Sequence, residues 1–368
     1  MIGKSLSAHV RQWDWPLALS ALLLCCFGLT AIYSVGVAKD NMSLFYKQAI
    51  FVAIGFTLMF FLSYFDWRIL KNRSYIAVIL YFCCLALLGG LFFVKGHRGI
   101  QGWYDLGFFY FNPIELLKVV LIVILAKYFS SRHAEMYNFA HVIVSGLYTA
   151  IPCVLIFMQP DIGSILVIVS LWVGILLVSG IRMRHLFLLF LIGLVIAFGS
   201  WQFLLKDYQR QRIINFSDAQ TDYLGSGWNQ QQMLIAIGSG GLWGKGIAKG
   251  SQVQLGFLPE PHTDFVFCVI AEEMGLVGVL ALFATLMFFL WRVIRLVFYA
   301  PDNFSRFFAA GLGISFFAQA IINLAMNLRL FPIVGIPLPL VSYGGGNLIF
   351  MFLALGILQS MKVSSIVH

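Results

Sequence analysis

The sequence predicts an all-α polytopic membrane protein, and three observations support this fold class. The chain has 368 residues, of which 61% are hydrophobic and only 11% are charged. Several apolar runs are long enough to cross a bilayer, which takes about 20 residues for each helix. All six cysteines lie inside these runs and indicate small buried side chains without a disulfide framework. We therefore expect one integral membrane domain over residues 1–368.

The apolar runs predict about ten membrane-spanning helices. The first run follows Lys4 and Arg11 and is too long for the apolar core of a signal sequence, so it is interpreted as a retained span. The predicted spans cover residues 16–35, 44–65, 74–94, 112–129, 139–158, 162–180, 185–205, 265–291, 304–328 and 347–361.

The basic residues of the short loops indicate the orientation of these spans. With a cytoplasmic N-terminus, the inner segments hold Lys4, Arg11, Arg68, Lys71, Arg73, Lys127, Arg132, Arg182, Arg184, Arg292, Arg295, Arg306 and Lys362. The short outer loops hold only Lys39, Lys95, Arg98 and Arg329. Because cytoplasmic loops are enriched in Lys and Arg, both termini are expected in the cytoplasm of a multi-pass membrane protein. The net charge of +9 then reflects these inner loops, and no nucleic acid partner is expected.

Two segments interrupt the pattern of spans. A large outer loop, about residues 206–264, lies between spans seven and eight; its five basic residues balance its five acidic ones, and we expect it to fold onto the membrane surface. Residues 331–346 read FPIVGIPLPLVSYGGG, with three prolines and four glycines. Such a segment cannot form a continuous helix, so a re-entrant segment facing a cavity is predicted before span ten.

Asp264 is the candidate catalytic residue. It stands in the stretch GFLPEPHTDFVFCVIAEEMG, residues 256–275, where a proline-stiffened loop meets an apolar span. An ionisable group at a membrane boundary is costly unless it is used. The structural alternative is a helix N-cap made by Thr263 or Asp264.

Further charged residues are expected at the same outer boundary. Glu115 and Lys118 lie one helical turn apart at the start of span four, as an ion pair with either a structural or a substrate-binding role. Asp161 in the turn QPDIGS either caps span six or contributes to the site. A half-apolar, half-charged site suits a lipid-linked substrate with an anionic head group. The candidate substrate-binding residues are Glu115, Lys118, Asp161, Arg210, Arg212, Lys245 and Ser342.

Five motifs, taken together and in this order, resemble the SEDS family of cell-wall glycosyltransferases. They are IELLK, QPDIGS, DYQRQRI, GSQVQLGFLPEPHTDFVFCVIAEEMG and GIPLPLVSYGG, and the resemblance runs from about Gln101 to Gln359. The fourth motif is more similar to the elongation members of the family than to the division members. The sequence departs from the family pattern at Gly102, Arg329, Gly346 and Asn347.

The resemblance implies a ten-span peptidoglycan polymerase that uses lipid II and works with a class B penicillin-binding protein, the cross-linking transpeptidase. The family's essential acid falls on Asp264, and its paired acid and lysine fall on Glu115 and Lys118. The implied reaction is an inverting transfer at the outer face of the bacterial inner (plasma) membrane. A base takes the proton of the GlcNAc 4-hydroxyl of lipid II, which attacks the anomeric carbon of the growing glycan, and undecaprenyl pyrophosphate leaves. Arg210, Arg212 or a divalent cation, Mg²⁺ or Mn²⁺, would neutralise the leaving group; the sequence does not identify the metal ligands.

Two other functions are compatible with the same sequence. A lipid II flippase also needs a membrane cavity and a broken span, and Glu272 and Glu273 inside span eight would either line such a path or bond to a neighbouring helix. A non-catalytic scaffold for a penicillin-binding protein would have no need of Asp264. The transmembrane helix of the class B penicillin-binding protein is expected to contact spans eight and nine, whose aromatic and small residues favour close helix packing.

Overall fold

The structure, a computed structural model, describes residues 6–94, 102–107, 110–132, 139–205, 210 and 226–365. Within these residues the first helices are α1 (Leu6–Arg11), α2 (Trp15–Ala38), α3 (Ser43–Leu62), α4 (Arg68–Asn72), α5 (Ser74–Gly90), α6 (Pro113–Arg132), α7 (Phe139–Met158), α8 (Ile162–Val178) and α9 (Met183–Gly199). The later helices are α10 (Ser226–Ser239), α11 (Ser251–Gln254), α12 (Val266–Phe298), α13 (Asn303–Asn327) and α14 (Gly345–Ser365). A short antiparallel ribbon, β1 (Tyr104–Asp105) and β2 (Tyr110–Phe111), precedes α6.

The all-α membrane fold is confirmed, and each of the ten predicted spans coincides with a described helix. Eight of the described helices are long and apolar enough to cross a membrane. Of the other two, α8 is apolar but shorter. Helix α6 carries Glu115, Lys118, Lys127 and Arg132 along its length, although most of its side chains are buried against neighbouring helices. The total of ten membrane crossings therefore stays a prediction.

Helix α13 lies at the centre of the bundle. It packs against α6, α8 and α12, and most of its side chains are buried. Aromatic side chains fill its contact with α12, where the ring centroids of Phe289 and Phe316 are 4.4 Å apart. Small residues allow close approach elsewhere: a Cβ on Gly311 would lie 3.1 Å from side-chain carbons of Ile122 and Ile175. This central helix reaches the candidate site with its last two turns.

An ion pair joins the beginning of α2 to the far end of α12. Asp14 caps α2 by accepting from the amide of Leu17, at 3.0 Å, and it also binds Arg292 through two hydrogen bonds, of 3.1 and 2.6 Å. Gln359 of α14 accepts from the Asp14 amide at 2.9 Å and donates to the Asp14 carbonyl at 3.1 Å. The start of α2 and the last turns of α14 therefore lie at one end of the bundle, and Asp264 precedes the opposite end of α12.

The predicted span at residues 265–291 differs from the observed helix in length and in continuity. Helix α12 extends to Phe298 and is interrupted at Gly275, whose backbone is non-helical with φ 63° and ψ −163°. A residue with a side chain rarely adopts this positive φ, whereas glycine does so without steric penalty. The interruption divides α12 into a short section that carries Glu272 and Glu273 and a longer section of 23 residues, Leu276 to Phe298.

Candidate functional site

Asp264 lies in the loop before α12 and its main chain is held by α13. Its carbonyl oxygen accepts two hydrogen bonds, from Asn323 Nδ2 at 3.0 Å and from Asn327 Nδ2 at 2.9 Å. Both asparagines are fully buried. Helix α12 begins at Val266 with Phe265 at the N-cap position, so Asp264 stands one residue outside the position of a cap.

The two residues before Asp264 are held in the same way. The His262 carbonyl accepts from the amide of Tyr343, at 2.8 Å. The Thr263 carbonyl accepts from the Ser342 hydroxyl, at 2.5 Å. Three successive carbonyls, at positions 262 to 264, thus have partners outside their own loop. Such a loop cannot rotate its backbone without breaking several hydrogen bonds, so the main chain that carries Asp264 is held in place.

Gly335 lies next to the Asp264 carboxylate. A Cβ on Gly335 would lie 3.6 Å from Asp264 Oδ2, and the φ of this glycine is 73°. The Asp264 side chain is half-buried. A half-buried carboxylate with one side against main chain is partly shielded from water, which favours a role as general base.

The segment 331–344 has no helix or strand, as its prolines and glycines predict. Its residues Leu338, Leu340 and Val341 are buried. Gln48 of α3 binds two of its backbone groups, since Nε2 donates to the Ser342 carbonyl at 3.2 Å and Oε1 accepts from the Gly344 amide at 3.3 Å. Protein therefore surrounds the broken backbone; that it is re-entrant in the bilayer stays a prediction.

The turn QPDIGS packs against this same segment. Asp161 is the N-cap of α8 and accepts from the amide and hydroxyl of Ser164, at 3.0 and 2.6 Å. Asp161 therefore forms the predicted cap, and a substrate contact for this residue stays a prediction. A Cβ on Gly163 would lie only 2.8 Å from the carbonyl oxygen of Val334, so this turn touches the residues on either side of Gly335.

Glu115 and Lys118 form the predicted ion pair at the start of α6. Lys118 Nζ is 2.7 Å from Glu115 Oε2, and the two side chains are only 8% and 13% exposed. The start of α6 lies beside the start of α14, since a Cβ on Gly346 would be 3.8 Å from the Asn112 amide nitrogen. The pair therefore belongs to the same end of the bundle as the segment 331–344.

Lys245 binds an acid of α12. Its Nζ is 2.8 Å from Glu272 Oε1 and 2.7 Å from the Ser251 hydroxyl, and Glu272 Oε1 also accepts from the amide of Gln252 at 2.9 Å. Glu272 is completely buried. The next residue, Glu273, accepts from the hydroxyl of Ser34 near the end of α2. Of the two expectations for these acids, bonding to neighbouring elements is the one observed.

The loop between α10 and α11 inserts into the interruption of α12. Four backbone hydrogen bonds join the two: Lys245 N to Glu272 O (3.0 Å), Gly246 N to Glu273 O (3.0 Å), Leu276 N to Gly241 O (2.9 Å) and Val277 N to Leu242 O (3.1 Å). The contact is too close for side chains, because a Cβ on Gly275 would lie 2.3 Å from the Gly244 nitrogen. Residues 241–246 of the predicted outer loop thus complete the backbone hydrogen bonding of α12. That this loop folds onto the membrane surface stays a prediction.

Two further candidate substrate-binding residues from the sequence are Arg210 and Arg212. Arg210 donates from Nη2 to the carbonyl of Gln202 at 3.1 Å. Arg212 lies outside the described residues. Among the residues that the structure describes, no three His, Cys, Asp or Glu side chains come together as a metal site. The divalent cation stays a prediction.

The sequence reasoning missed Asn323, Asn327 and Gln48. A signal for the first two was present: FAQAIINLAMN places Gln319, Asn323 and Asn327 four residues apart within an apolar helix. Side chains at this spacing share one helix face. Amides are costly inside a membrane span without partners, so such a stripe indicates internal hydrogen bonding.

Fold and site together define a polytopic helical membrane protein with a fixed carboxylate at one end of its bundle. The family model of the cell cycle proteins FtsW, RodA and SpoVE matches residues 14–366. The chain belongs to this family.

Its relatives match over nearly their whole length. The chain is 34% identical to peptidoglycan glycosyltransferase MrdB of Escherichia coli (strain K12), over 95% of this chain and 93% of that protein. It is 35% identical to stage V sporulation protein E of Bacillus subtilis (strain 168), over 95% and 96%.

Solved structures show the same fold. A chain from a peptidoglycan synthase complex, described by its coordination of polymerization and crosslinking, superposes with a TM-score of 0.81 at 30% identity, covering 96% of this chain and 98% of that one. The rod shape determining protein RodA of Thermus thermophilus superposes with a TM-score of 0.69 at 29% identity, covering 95% and 96%.

Proposed function

We propose that this protein is a peptidoglycan glycosyltransferase that polymerises lipid II into glycan strands for cell elongation and shape. The observation that carries the proposal is the fixed, half-buried Asp264 facing Gly335. Relatives named as peptidoglycan glycosyltransferases support the substrate class. The site lies on the outer face of the plasma membrane and both termini are cytoplasmic, which follows from the uneven distribution of Lys and Arg.

In the proposed reaction, Asp264 acts as general base on the GlcNAc 4-hydroxyl of lipid II. The oxygen attacks the anomeric carbon of the growing glycan, the proton passes to the carboxylate, and the bond to the lipid pyrophosphate breaks with inversion. The pyrophosphate leaving group is stabilised more by nearby positive charge than by protonation. We assign this role to Lys118 and Arg210, at the same end of the bundle as Asp264, together with Arg212 on the same loop as Arg210.

A flippase is less well supported. Its strongest sequence feature was the pair of acids inside span eight, and both accept hydrogen bonds from neighbouring protein groups. These bonds give both carboxylates a use within the fold, so a transport path is not needed to account for them.

The test is a polymerisation assay with purified protein and lipid II, with and without a class B penicillin-binding protein. Asp264→Asn keeps the shape of the side chain but removes the base, and we expect it to abolish glycan synthesis. Asp40→Asn is the matched control, because Asp40 is exposed just after α2 and has a φ of 49° that asparagine also tolerates. Normal glycan output from folded Asp264→Asn would falsify the general-base assignment, whereas no glycan from the wild type, with and without the partner, would favour the scaffold.

A further inference from the structure

A stripe of buried amides runs along one face of α13 and ends at the Asp264 loop. Gln319 is 2% exposed, and Asn323 and Asn327 are not exposed at all. An amide without partners costs free energy in an apolar interior, so the hydrogen bonds of the stripe decide its role.

Asn323 joins the Asp264 loop to the segment 331–344. Its Nδ2 donates to the carbonyl of Asp264 at 3.0 Å and to the carbonyl of Ile336 at 2.8 Å. Ile336 follows Gly335, the residue that the Asp264 carboxylate faces. The Asn323 amide nitrogen therefore sets the distance between the main chain of Asp264 and the backbone next to Gly335, which the Asp264 carboxylate faces.

Asn327 adds a second attachment from the next turn. Its Nδ2 donates to the Asp264 carbonyl at 2.9 Å and to the Asn323 carbonyl at 2.8 Å. Its Oδ1 accepts from the Cys268 thiol at 3.0 Å, which also ties the first turn of α12 to α13. All the polar atoms of this side chain are thus used in holding the loop and helix start around Asp264.

From these contacts we propose that Asn323 and Asn327 are positioning residues, which hold Asp264 in its reactive orientation against Gly335. This inference rests on the proposed function and deepens it. The two amides do not touch the substrate; they act through the main chain of the base. Misplacement of a reacting group by about 1 Å can cost about 100-fold in rate, so their loss should affect turnover more than substrate binding.

The test compares Asn323→Leu and Asn327→Leu with Gln319→Met. Leucine and methionine nearly match the shapes of the amides that they replace, so packing is kept while the polar groups are lost. Gln319 is the control because it is a buried amide on the same helix face, one turn further from Asp264. We expect each Leu variant to lower kcat about 10- to 100-fold relative to Gln319→Met, with KM changed less than about threefold.

A second measurement is independent of activity. Hydrogen exchange of the peptide 256–268 and of the Tyr343 amide should be faster in the Leu variants than in Gln319→Met, because the loop loses its attachment to α13. If wild-type protein makes no glycan, the proposed function fails, and exchange still reports on positioning.

The proposal is overturned if both Leu variants match Gln319→Met in kcat and exchange. It is also overturned if they raise KM and leave kcat unchanged, because the amides would then serve substrate binding. Each Leu variant is assessed separately, so failure of one to fold leaves the other as the test.

Discussion

Lys245 Nζ lies 2.8 Å from Glu272 Oε1, which joins a loop cation to a completely buried acid of α12. The two residues are 27 positions apart, and the lysine side chain is 29% exposed. The pair holds the α10–α11 loop at the interruption of α12, a short distance along the helix from Asp264. Lys245 was expected as a substrate contact, and its bond to Glu272 provides a way to test that role.

We predict that Lys245→Met lowers stability by about 3 kcal/mol, because it leaves Glu272 buried without its counter-charge. Adding Glu272→Gln should restore most of the loss, since the amide needs no counter-charge. Thermal unfolding in detergent measures both effects. If the double variant regains both stability and polymerisation, Lys245 has a structural role. If the double variant is stable but inactive, Lys245 binds the substrate.

Replacement of Gly275 by alanine should detach the inserted loop. The Cβ would lie 2.3 Å from the Gly244 nitrogen and would occupy a backbone with φ 63°, so we expect a loss of at least about 2 kcal/mol. The control is Gly238→Ala in α10, where a Cβ meets nothing within 4 Å and alanine favours the helix by about 1 kcal/mol. Equal melting temperatures for the two variants would contradict this account.

The Glu115–Lys118 pair has two possible roles, which a double variant separates. If the pair is only structural, Glu115→Gln with Lys118→Met should be tolerated better than either single change, since a lone buried charge is the costly state. We expect the other outcome, an inactive double variant with a nearly unchanged melting temperature, because Lys118 lies at the site end of α6. Recovered polymerisation in the double variant would show that both residues are structural.

Stability should fall with acid through Asp302, the N-cap of α13. Burial alone would raise the pKa of Asp302, but hydrogen bonds from Lys71 and Ser305 and the charge of Lys71 hold this pKa below its ordinary value of 3.8. Because the folded state favours the ionised form, the contribution is complete well above pH 3.8 and is lost as pH falls below that value.

Asp302→Asn keeps an oxygen for the Ser305 amide and removes the charge. The variant should therefore show a smaller drop in melting temperature between about pH 5 and about pH 3 than the wild type. The same drop in both proteins would mean that the Lys71 pair contributes nothing measurable.

The transmembrane helix of a class B penicillin-binding protein should contact α12 and α13. A photo-crosslinker at Phe288 or Phe317, both exposed on these helices, should capture the partner. The same probe at Phe82 of α5, which is 62% exposed, serves as the control. Capture mainly from Phe82 or elsewhere on the first three spans would contradict the prediction.

Sequence by itself determined the helices and the principal acid. Long apolar runs mark spans because burial in lipid requires about 20 apolar residues, and this signal is local. Proline and glycine likewise predicted the broken backbone of residues 331–344 because their effect on φ and on helix hydrogen bonds is local. Asp264 stood out because an acid beside an apolar run is costly unless it has a use.

Only the tertiary structure decided which groups hold that acid. The bonds from Asn323, Asn327, Ser342 and Tyr343 to the Asp264 loop cross between 59 and 81 positions. No periodicity encodes such pairings, because a donor's partner depends on how helices pack and not on spacing within one helix. The interruption at Gly275 was hidden for the same reason: a glycine in an apolar run fits a continuous helix equally well, and the inserted loop that completes the hydrogen bonds of α12 comes from about 30 residues earlier in the chain.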